Sequence, residues 1–276
     1  MGTGMGAAFG VDLYTEAQVK LTDEPGVIKA KITCDLSEKT VLAEKTAMRV
    51  LQLFQEEEKH GAEIKTSSNI PIAKGLKSSS VAANAIALAT VAALGKTLDD
   101  LEIVKLGVEA AFDAKATITG AFDDACASYF GGIVVTDNLK RKIIKQSAFE
   151  EDLAILFLVP PQKAYSADAD VERVKSLKPL VQVAFDEALV GRFCEALTLN
   201  GLVYSSAWGY DNSIAVDAMA AGALAAGLCG KGPAVTAIAT RENADSVKAA
   251  LQNHGGEILQ AHLNKEKAKV TKQWLT

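Results

Sequence analysis

The residues best suited to chemistry lie together in one stretch, 70–94. A loop that begins at Pro71 leads into three consecutive serines, Ser78–Ser80, and these open an alanine-rich run without proline or glycine. Serine is favoured at helix N-caps and alanine is the strongest helix former, so the stretch predicts a loop followed by a helix that Ser78 caps. Gly95 is the expected C′ residue, because glycine readily takes the left-handed conformation that ends a helix.

The same loop predicts a binding site for an anion. Backbone N–H groups, the positive end of a helix dipole, serine hydroxyls and two lysines, Lys74 and Lys77, are brought close together by the sequence. The simpler alternative is an ordinary capped helix, which needs one serine and no flanking lysines. The two lysines therefore favour the anion site.

Residues 71–82 resemble the phosphate-binding motif of the GHMP kinases, a family that includes galactokinases and homoserine, mevalonate and phosphomevalonate kinases. That motif is usually written P-x-x-x-G-L-x-S-S-x-A, and every fixed position is present in this sequence. The resemblance implies that the loop holds the phosphates of ATP. The residues that it assigns to the nucleotide here are Pro71, Ile72, Ala73, Lys74, Gly75, Leu76, Lys77, Ser78, Ser79, Ser80 and Ala82.

A second glycine-rich stretch, 228–235, resembles the C-terminal motif of the same family. In the family this turn between a helix and a strand lies against the nucleotide phosphates and the substrate, which implies Gly230 and Gly232 as further cofactor-binding residues. Cys229 and Lys231 stand where the family usually has serine, so Lys231 offers a charge in place of a hydroxyl. A plain tight connection between two elements is the alternative.

Two adjacent acids, Asp123 and Asp124, precede the glycine pair Gly131–Gly132 in a predicted loop. Adjacent acids often serve only as helix caps. This frame resembles the S-G-x-D-N-x-x-S-x-x-G-G segment of mevalonate kinases, and alignment on the glycine pair implies Asp124 as the catalytic aspartate. It also implies Asp113 as a metal ligand, with Ser79. Residues 119–125 are most similar to the archaeal shikimate kinases, a branch of the same family.

Periodicity and turn residues predict the elements that position these groups. Apolar alternation and turn signals predict strands, whereas apolar residues at helical spacing predict helices. The predicted strands are 7–14, 17–21, 27–33, 61–67, 129–136, 141–146, 153–159, 234–239 and 257–263. The predicted helices are 37–58, 78–94, 97–114, 169–177, 179–189, 192–207, 212–226 and 242–253.

A domain boundary is predicted at the diproline Pro160–Pro161 and the polar segment 162–170, because proline cannot donate to a sheet ladder. The resemblance implies an α+β, two-domain GHMP kinase fold with the ATP site in the interdomain cleft. Residues 1–160 would form the N-terminal domain and 161–276 a ferredoxin-like C-terminal domain. The first family motif, P-G-x-V-N-L-x-G-E-H, is not present, so we expect either a truncated chain or a domain without its usual first strand.

Composition excludes several other classes of protein. The chain has 276 residues, of which 49% are hydrophobic and 23% charged, as in ordinary globular proteins. A net charge of −5 argues against a nucleic-acid partner, which needs a basic surface. The cysteines and histidines lack zinc-ligand spacing. With no signal peptide and no apolar run long enough for a membrane span, we expect a cytoplasmic protein without a membrane partner.

The resemblance implies phosphoryl transfer from Mg²⁺-ATP to the 3-hydroxyl of shikimate, on the route to chorismate and the aromatic amino acids, with Asp124 orienting or deprotonating that hydroxyl. The alternatives are a kinase of another small alcohol, such as homoserine or mevalonate, and a nucleotide-binding regulator without catalysis. Monomer and homodimer both stay open. Shikimate is a carboxylate, so a basic side chain should face it. The sequence does not choose among the lysines and the arginines, which are Arg49, Arg141, Arg173, Arg192 and Arg241.

Overall fold

The computed structural model describes residues 3–149, 152–164 and 171–272 of the chain. Its strands are β1 (Met5–Phe9), β2 (Thr15–Thr22), β3 (Ile28–Ile32), β4 (Gly61–Ser68), β5 (Ile133–Asp137), β6 (Lys142–Ser147), β7 (Leu153–Val159), β8 (Ala225–Leu228), β9 (Val235–Thr240) and β10 (Glu257–His262). Its helices are α1 (Val41–Leu53), α2 (Ser78–Ala93), α3 (Asp100–Asp113), α4 (Phe122–Phe130), α5 (Val171–Lys175), α6 (Lys178–Val190), α7 (Phe193–Trp208), α8 (Ser213–Ala220) and α9 (Ala244–Gln252). Across these ranges, no helix combines the length and the apolar character that a membrane crossing requires.

The described strands form three sheets with the orders β1-β5-β6, β2-β4-β3 and β10-β7-β9-β8. In the second sheet, β3 lies parallel to β4, and α1 makes the connection between them. The third sheet is antiparallel, and its chain path from β7 to β10 follows the β-α-β-β-α-β pattern of ferredoxin-like units. Helices and mostly antiparallel sheets of this kind confirm the α+β class.

The division of the chain into two parts depends on β7. This strand is hydrogen-bonded to β9 and β10, so a boundary at residue 160 would separate it from both of its neighbours. We propose instead that the N-terminal part ends between β6 and β7. Of the predicted linker 162–170, residues 165–170 lie outside the described residues, as does the start of the predicted helix 169–177.

The loop before α2 is held at the junction of the two parts. Its residues Ile70 and Leu76 are buried and belong to the same apolar cluster as Ile155 and Phe157 of β7 and Ile238 of β9. Burying side chains of this size contributes about 1.5–3 kcal/mol each. The loop is therefore anchored on the third sheet, while α2 itself packs in the N-terminal core against α1, α3 and α4.

Asp123 and Asp124 lie in the first turn of α4, so the predicted loop at this position is wrong. The turn that the sequence suggests is confined to Gly120 and Ala121, both of which have positive φ angles, +82° and +48°. Phe122 and the residues one turn further along are fully buried, and this burial stabilises the helix. Acids in a first turn also interact favourably with the helix dipole.

The predicted helix 212–226 is wrong in its second half. The helix α8 ends at Ala220, Gly222 follows with a φ of +100°, and Ala225–Leu228 form the strand β8 against β9. Alanine favours helices by local propensity, but all four residues of β8 are buried in the third sheet. Tertiary packing overrides the propensity here.

Candidate active site

The helix α2 begins at Ser78 rather than after it, so the prediction that Ser78 is the N-cap is wrong. The N-cap is Lys77, which has left-handed backbone angles (φ 61°, ψ 29°) and makes no side-chain capping bond. Within the described residues, the N–H groups of Ser78 and Ser79 have no hydrogen-bond partner, as the first N–H groups of a helix do when nothing caps them. The other end is as predicted, because Gly95 follows the helix with a φ of +63°.

The two predicted lysines have different surroundings. Lys74 Nζ donates to the carbonyl oxygens of Pro160 (2.7 Å), Pro161 (2.5 Å) and Gln162 (2.7 Å). These three bonds use all the donors of an ammonium group. Burial, and then the charge of Lys163, lower the pKa of Lys74. Lys74 thus ties the loop to the end of β7, and Lys77 is the lysine that faces ionisable groups.

The two glycine-rich motifs meet in the structure. A Cβ atom at Gly75 would lie 2.3 Å from the carbonyl oxygen of Cys229, and a Cβ atom at Gly230 would lie 2.4 Å from Cε of Lys77. The Cys229 thiol also donates to the carbonyl oxygen of Gly75 at 3.4 Å. A side chain at Gly75 would collide with the backbone of the second loop, and one at Gly230 would displace the end of the Lys77 side chain. Gly232, with a φ of +72°, completes the second loop.

Lys77 forms an ion pair with Asp124 at the junction of these loops and α4. Its Nζ lies 2.5 Å from Oδ2 of Asp124, and the two side chains are 29% and 13% exposed. Burial first, and then the charge of Asp123, raise the pKa of Asp124 to about 6, although Lys77 acts in the opposite direction. The pKa of Lys77 is raised, because the charges of Asp124 and Asp123 outweigh its burial. At neutral pH the pair is therefore a carboxylate and an ammonium.

Lys231, from the C-terminal motif, lies close enough to Lys77 and Asp124 for their charges to act on it. Burial, followed by the charge of Lys77, lowers its pKa to about 8, and Asp124 partly offsets this effect. The charges of both members of the ion pair thus act on the pKa of Lys231. The structure thus places a cation from the C-terminal motif beside the cation and the carboxylate of the N-terminal part.

Asp123 faces away from Lys77, toward β1 and the end of β5. Its Oδ1 accepts from Nδ2 of Asn138 (3.0 Å), and its N–H donates to Oδ1 of the same residue (3.1 Å). Thr136 holds Asn138 through a hydroxyl bond of 2.6 Å. Gly6 leaves room for the carboxylate, because a Cβ atom there would lie 2.2 Å from Oδ2 of Asp123. The two adjacent acids therefore have different hydrogen-bond partners, although the charge of Asp123 still acts on Asp124.

Asn84 joins α2 to α4, the helix that carries the two acids. It is buried on α2, and its Nδ2 donates to the carbonyl oxygen of Ala125 (2.8 Å) and to Oγ of Ser128 (2.9 Å) on α4. The bonds fix the distance between the start of α2 and Asp124. Neither Asn84 nor Asn138 was identified from the sequence, because a single asparagine inside an element carries no recognisable spacing.

Asp113, the implied metal ligand, ends α3 and pairs with Arg49. Both of its oxygens accept bonds, from Nε at 2.5 Å and from Nη2 at 2.9 Å, and these bonds lower the pKa of the carboxyl group. Glu109, one turn earlier, contacts Arg49 and Arg141. A metal ion at Asp113 would have to replace a bond from Arg49. Ser79, the other implied ligand, is exposed at the start of α2.

A cavity of ≈ 1440 Å³ opens beside Lys77, Asp123 and Asp124. On the side of the second part, α6 and α7 line it mainly with apolar side chains. Within the described residues its lysines are Lys20, Lys65, Lys77, Lys231, Lys267, Lys269 and Lys272, and no arginine contributes to the wall. Four of the five arginines are instead paired with acids elsewhere, namely Arg49, Arg141, Arg192 and Arg241.

Comparison with known proteins agrees with this geometry. Residues 45–132 match the family described as GHMP kinases N terminal domain, and residues 184–257 match GHMP kinases C terminal. The shikimate kinase of Methanococcoides burtonii is 42% identical over 266 residues, which cover 96% of this chain and 91% of that protein. The chain belongs to the GHMP kinase family, in the branch of the archaeal shikimate kinases. Membership makes it an ATP-dependent kinase of small molecules.

Solved structures of GHMP kinases share the fold. The mevalonate kinase of Methanococcus jannaschii has a TM-score of 0.75 at 18% identity, with 95% of this chain and 94% of that one covered. A structure described as MDDEF in complex with MVAPP, AMPPCP and magnesium has a TM-score of 0.71 at 18% identity, with coverages of 94% and 88%. The GHMP kinase fold that the phosphate-loop motif implies is thereby confirmed.

Proposed function

We propose that this chain transfers the γ-phosphoryl group of ATP to the 3-hydroxyl of shikimate. The observation that supports this best is the Lys77–Asp124 pair, which lies between the uncapped start of α2 and the large cavity. Relatives at 42% identity that are named shikimate kinase favour shikimate over homoserine or mevalonate. Retention of an ionised carboxylate at Asp124 argues against a regulator without catalysis.

The residues at the start of α2 fit a phosphate group. The N–H groups of Ser78 and Ser79 have no other partner in the described chain, and the helix dipole favours an anion there. Gly75 and Gly230 allow both loops to approach that anion closely. We propose that the loop from Pro71 to Ser80, together with Gly230 and Gly232, holds the ATP phosphates.

The described residues fit Mg²⁺ less well than they fit a phosphate group. In kinases this ion takes one or two carboxylates from the protein and further oxygens from phosphates and water. Ser79 and Asp113 are the proposed ligands, and Asp113 would have to release one bond to Arg49. When bound there, Mg²⁺ would neutralise the negative charge of the phosphate groups. The complex with AMPPCP and magnesium in a structural relative supports its use here.

Asp124 is the proposed base. The hydroxyl proton moves to its carboxylate while the hydroxyl oxygen forms a bond to the γ-phosphorus, and the bond from that phosphorus to the bridging oxygen of ADP breaks. Lys77, hydrogen-bonded to Asp124, keeps the carboxylate ionised and faces the transferred group with a positive charge. Because the cavity wall contains lysines and no arginine among the described residues, we propose that a lysine binds the substrate carboxylate.

A coupled assay of ADP release tests the acceptor directly. Purified protein with ATP and Mg²⁺ is presented separately with shikimate, homoserine, mevalonate and galactose. We expect the highest kcat/KM with shikimate, because relatives of 42% and 43% identity carry that name. Equal or greater turnover with homoserine or mevalonate would contradict the proposed substrate while leaving the kinase activity intact.

Ser79→Ala tests the metal site. We expect the Mg²⁺ concentration that gives half-maximal rate to rise about 10-fold, a typical effect for a change near a metal ligand. The melting temperature should hold, since alanine is the better helix former and the hydroxyl does not cap α2. A large fall in melting temperature with normal kinetics would instead support a plain structural role for this serine.

A further inference from the structure

One polar side chain interrupts the apolar wall of the cavity formed by α6 and α7. Asn200, near the middle of α7, is partly buried among Phe185, Leu197 and Tyr204, which line the same wall. Within the described residues, its side-chain amide has no hydrogen-bond partner. Both the donor and the acceptor of this amide are therefore available to a ligand in the cavity.

The position of Asn200 relative to the reacting groups is tightly fixed. The next residue, Gly201, packs so closely on β8 that a Cβ atom there would lie 2.4 Å from Cα of Gly227. The Thr198 hydroxyl accepts from the N–H of Ala226 at 3.2 Å. These contacts hold α7 against β8, whose end leads directly into the 229–232 loop. Because that loop contacts Gly75 and Lys77, Asn200 belongs to the same rigid frame as the ion pair.

We propose that Asn200 is a specificity-determining residue, which hydrogen-bonds to a hydroxyl of the acceptor other than the one that is phosphorylated. The inference rests on the proposed function, because shikimate carries two hydroxyls besides the acceptor. A carboxamide both donates and accepts, so it matches a hydroxyl in either role. The apolar neighbours contact the ring, and the amide supplies the directional contact that selects a polyol of the right pattern.

The test measures kcat/KM for shikimate, 4-deoxyshikimate and 5-deoxyshikimate with the wild type, Asn200→Leu and Gln252→Leu. Leucine keeps the approximate shape of asparagine, and Gln252→Leu is a matched amide exchange on the exposed end of α9. We expect the wild type to prefer shikimate over one of the deoxy analogues by about 10- to 100-fold, the size of one lost bond to a buried polar group. Asn200→Leu should lose this preference by slowing on shikimate alone, and Gln252→Leu should keep it.

A purely structural role predicts a different result. If Asn200→Leu lowers kcat/KM for all three compounds by the same factor, the inference is contradicted. Asn200→Asp keeps the size of the side chain and loses the amide donor. Its kcat/KM values for the same three compounds test the inference if the leucine variant does not fold. If the wild type does not phosphorylate shikimate, the proposed function fails and the inference fails with it. If the wild type does phosphorylate shikimate, and both Asn200→Leu and Asn200→Asp keep the preference over the deoxy analogues, only the inference fails.

Discussion

Asp124→Asn is expected to lower kcat by about 10²- to 10⁴-fold, the usual contribution of a general base. Asparagine keeps the size of the side chain and can still accept a bond from Lys77, but it cannot take the proton of the acceptor hydroxyl. The KM for both substrates should change little. Stability should hold, since the substitution keeps the size of the side chain and removes a carboxylate that burial disfavours.

The pH dependence of the rate tests the role of Asp124 independently. In the wild type the pKa of Asp124 is about 6, so its carboxylate takes up a proton as the pH falls through 6. The rate should therefore fall on the acid side with a limb near that pH, and Asp124→Asn should lack the limb. Asp123→Asn is the matched control. If Asp123→Asn loses activity and Asp124→Asn keeps it, Asp123 is the base instead of Asp124. If both variants stay active, the proposed mechanism is contradicted.

The proposed phosphate site could be inferred from the sequence because its residues are adjacent in the chain. Gly75 and Lys77 stand at fixed spacing before a helix, and the structure shows what each spacing provides: room for the second loop and a cation at the N-terminus of α2. The contact between Gly75 and Cys229 joins two motifs that are far apart in the chain. Each motif could be recognised on its own, and the resemblance implies that both contact the phosphates of one ATP molecule.

The supporting residues were not predictable, for a physical reason. Asn84 and Asn138 act by bonding to groups on other helices and strands, and no local pattern reveals such partners. The strand β8 was missed because its first two residues, Ala225 and Ala226, favour a helix locally, and only burial between β9 and α7 makes them extended. The Ser78 cap was predicted from propensity, but the left-handed backbone of Lys77 starts the helix instead.

Lys77→Met is expected to lower kcat by about 10²- to 10³-fold, because it removes a fixed positive charge at the transferred phosphoryl group. Methionine retains most of the aliphatic stem, so the contact with Gly230 should survive. The ATP concentration for half-maximal rate should also rise, since one cation of the phosphate site is lost.

The same variant should move the acid limb of the pH profile to higher pH. Lys77 is the main group that lowers the pKa of Asp124 against burial and Asp123, so without it that pKa rises above 6. More of the base is then protonated at neutral pH, and the rate at pH 7 should fall further than the rate at pH 8.5. Lys74→Met is the control, because the Lys74 ammonium donates to three carbonyl oxygens at the end of β7, and its loss should affect stability without moving the acid limb. A fall in kcat with the limb still near pH 6 would show that Lys77 acts on phosphate alone and that its bond to Asp124 does not set the ionisation of the base.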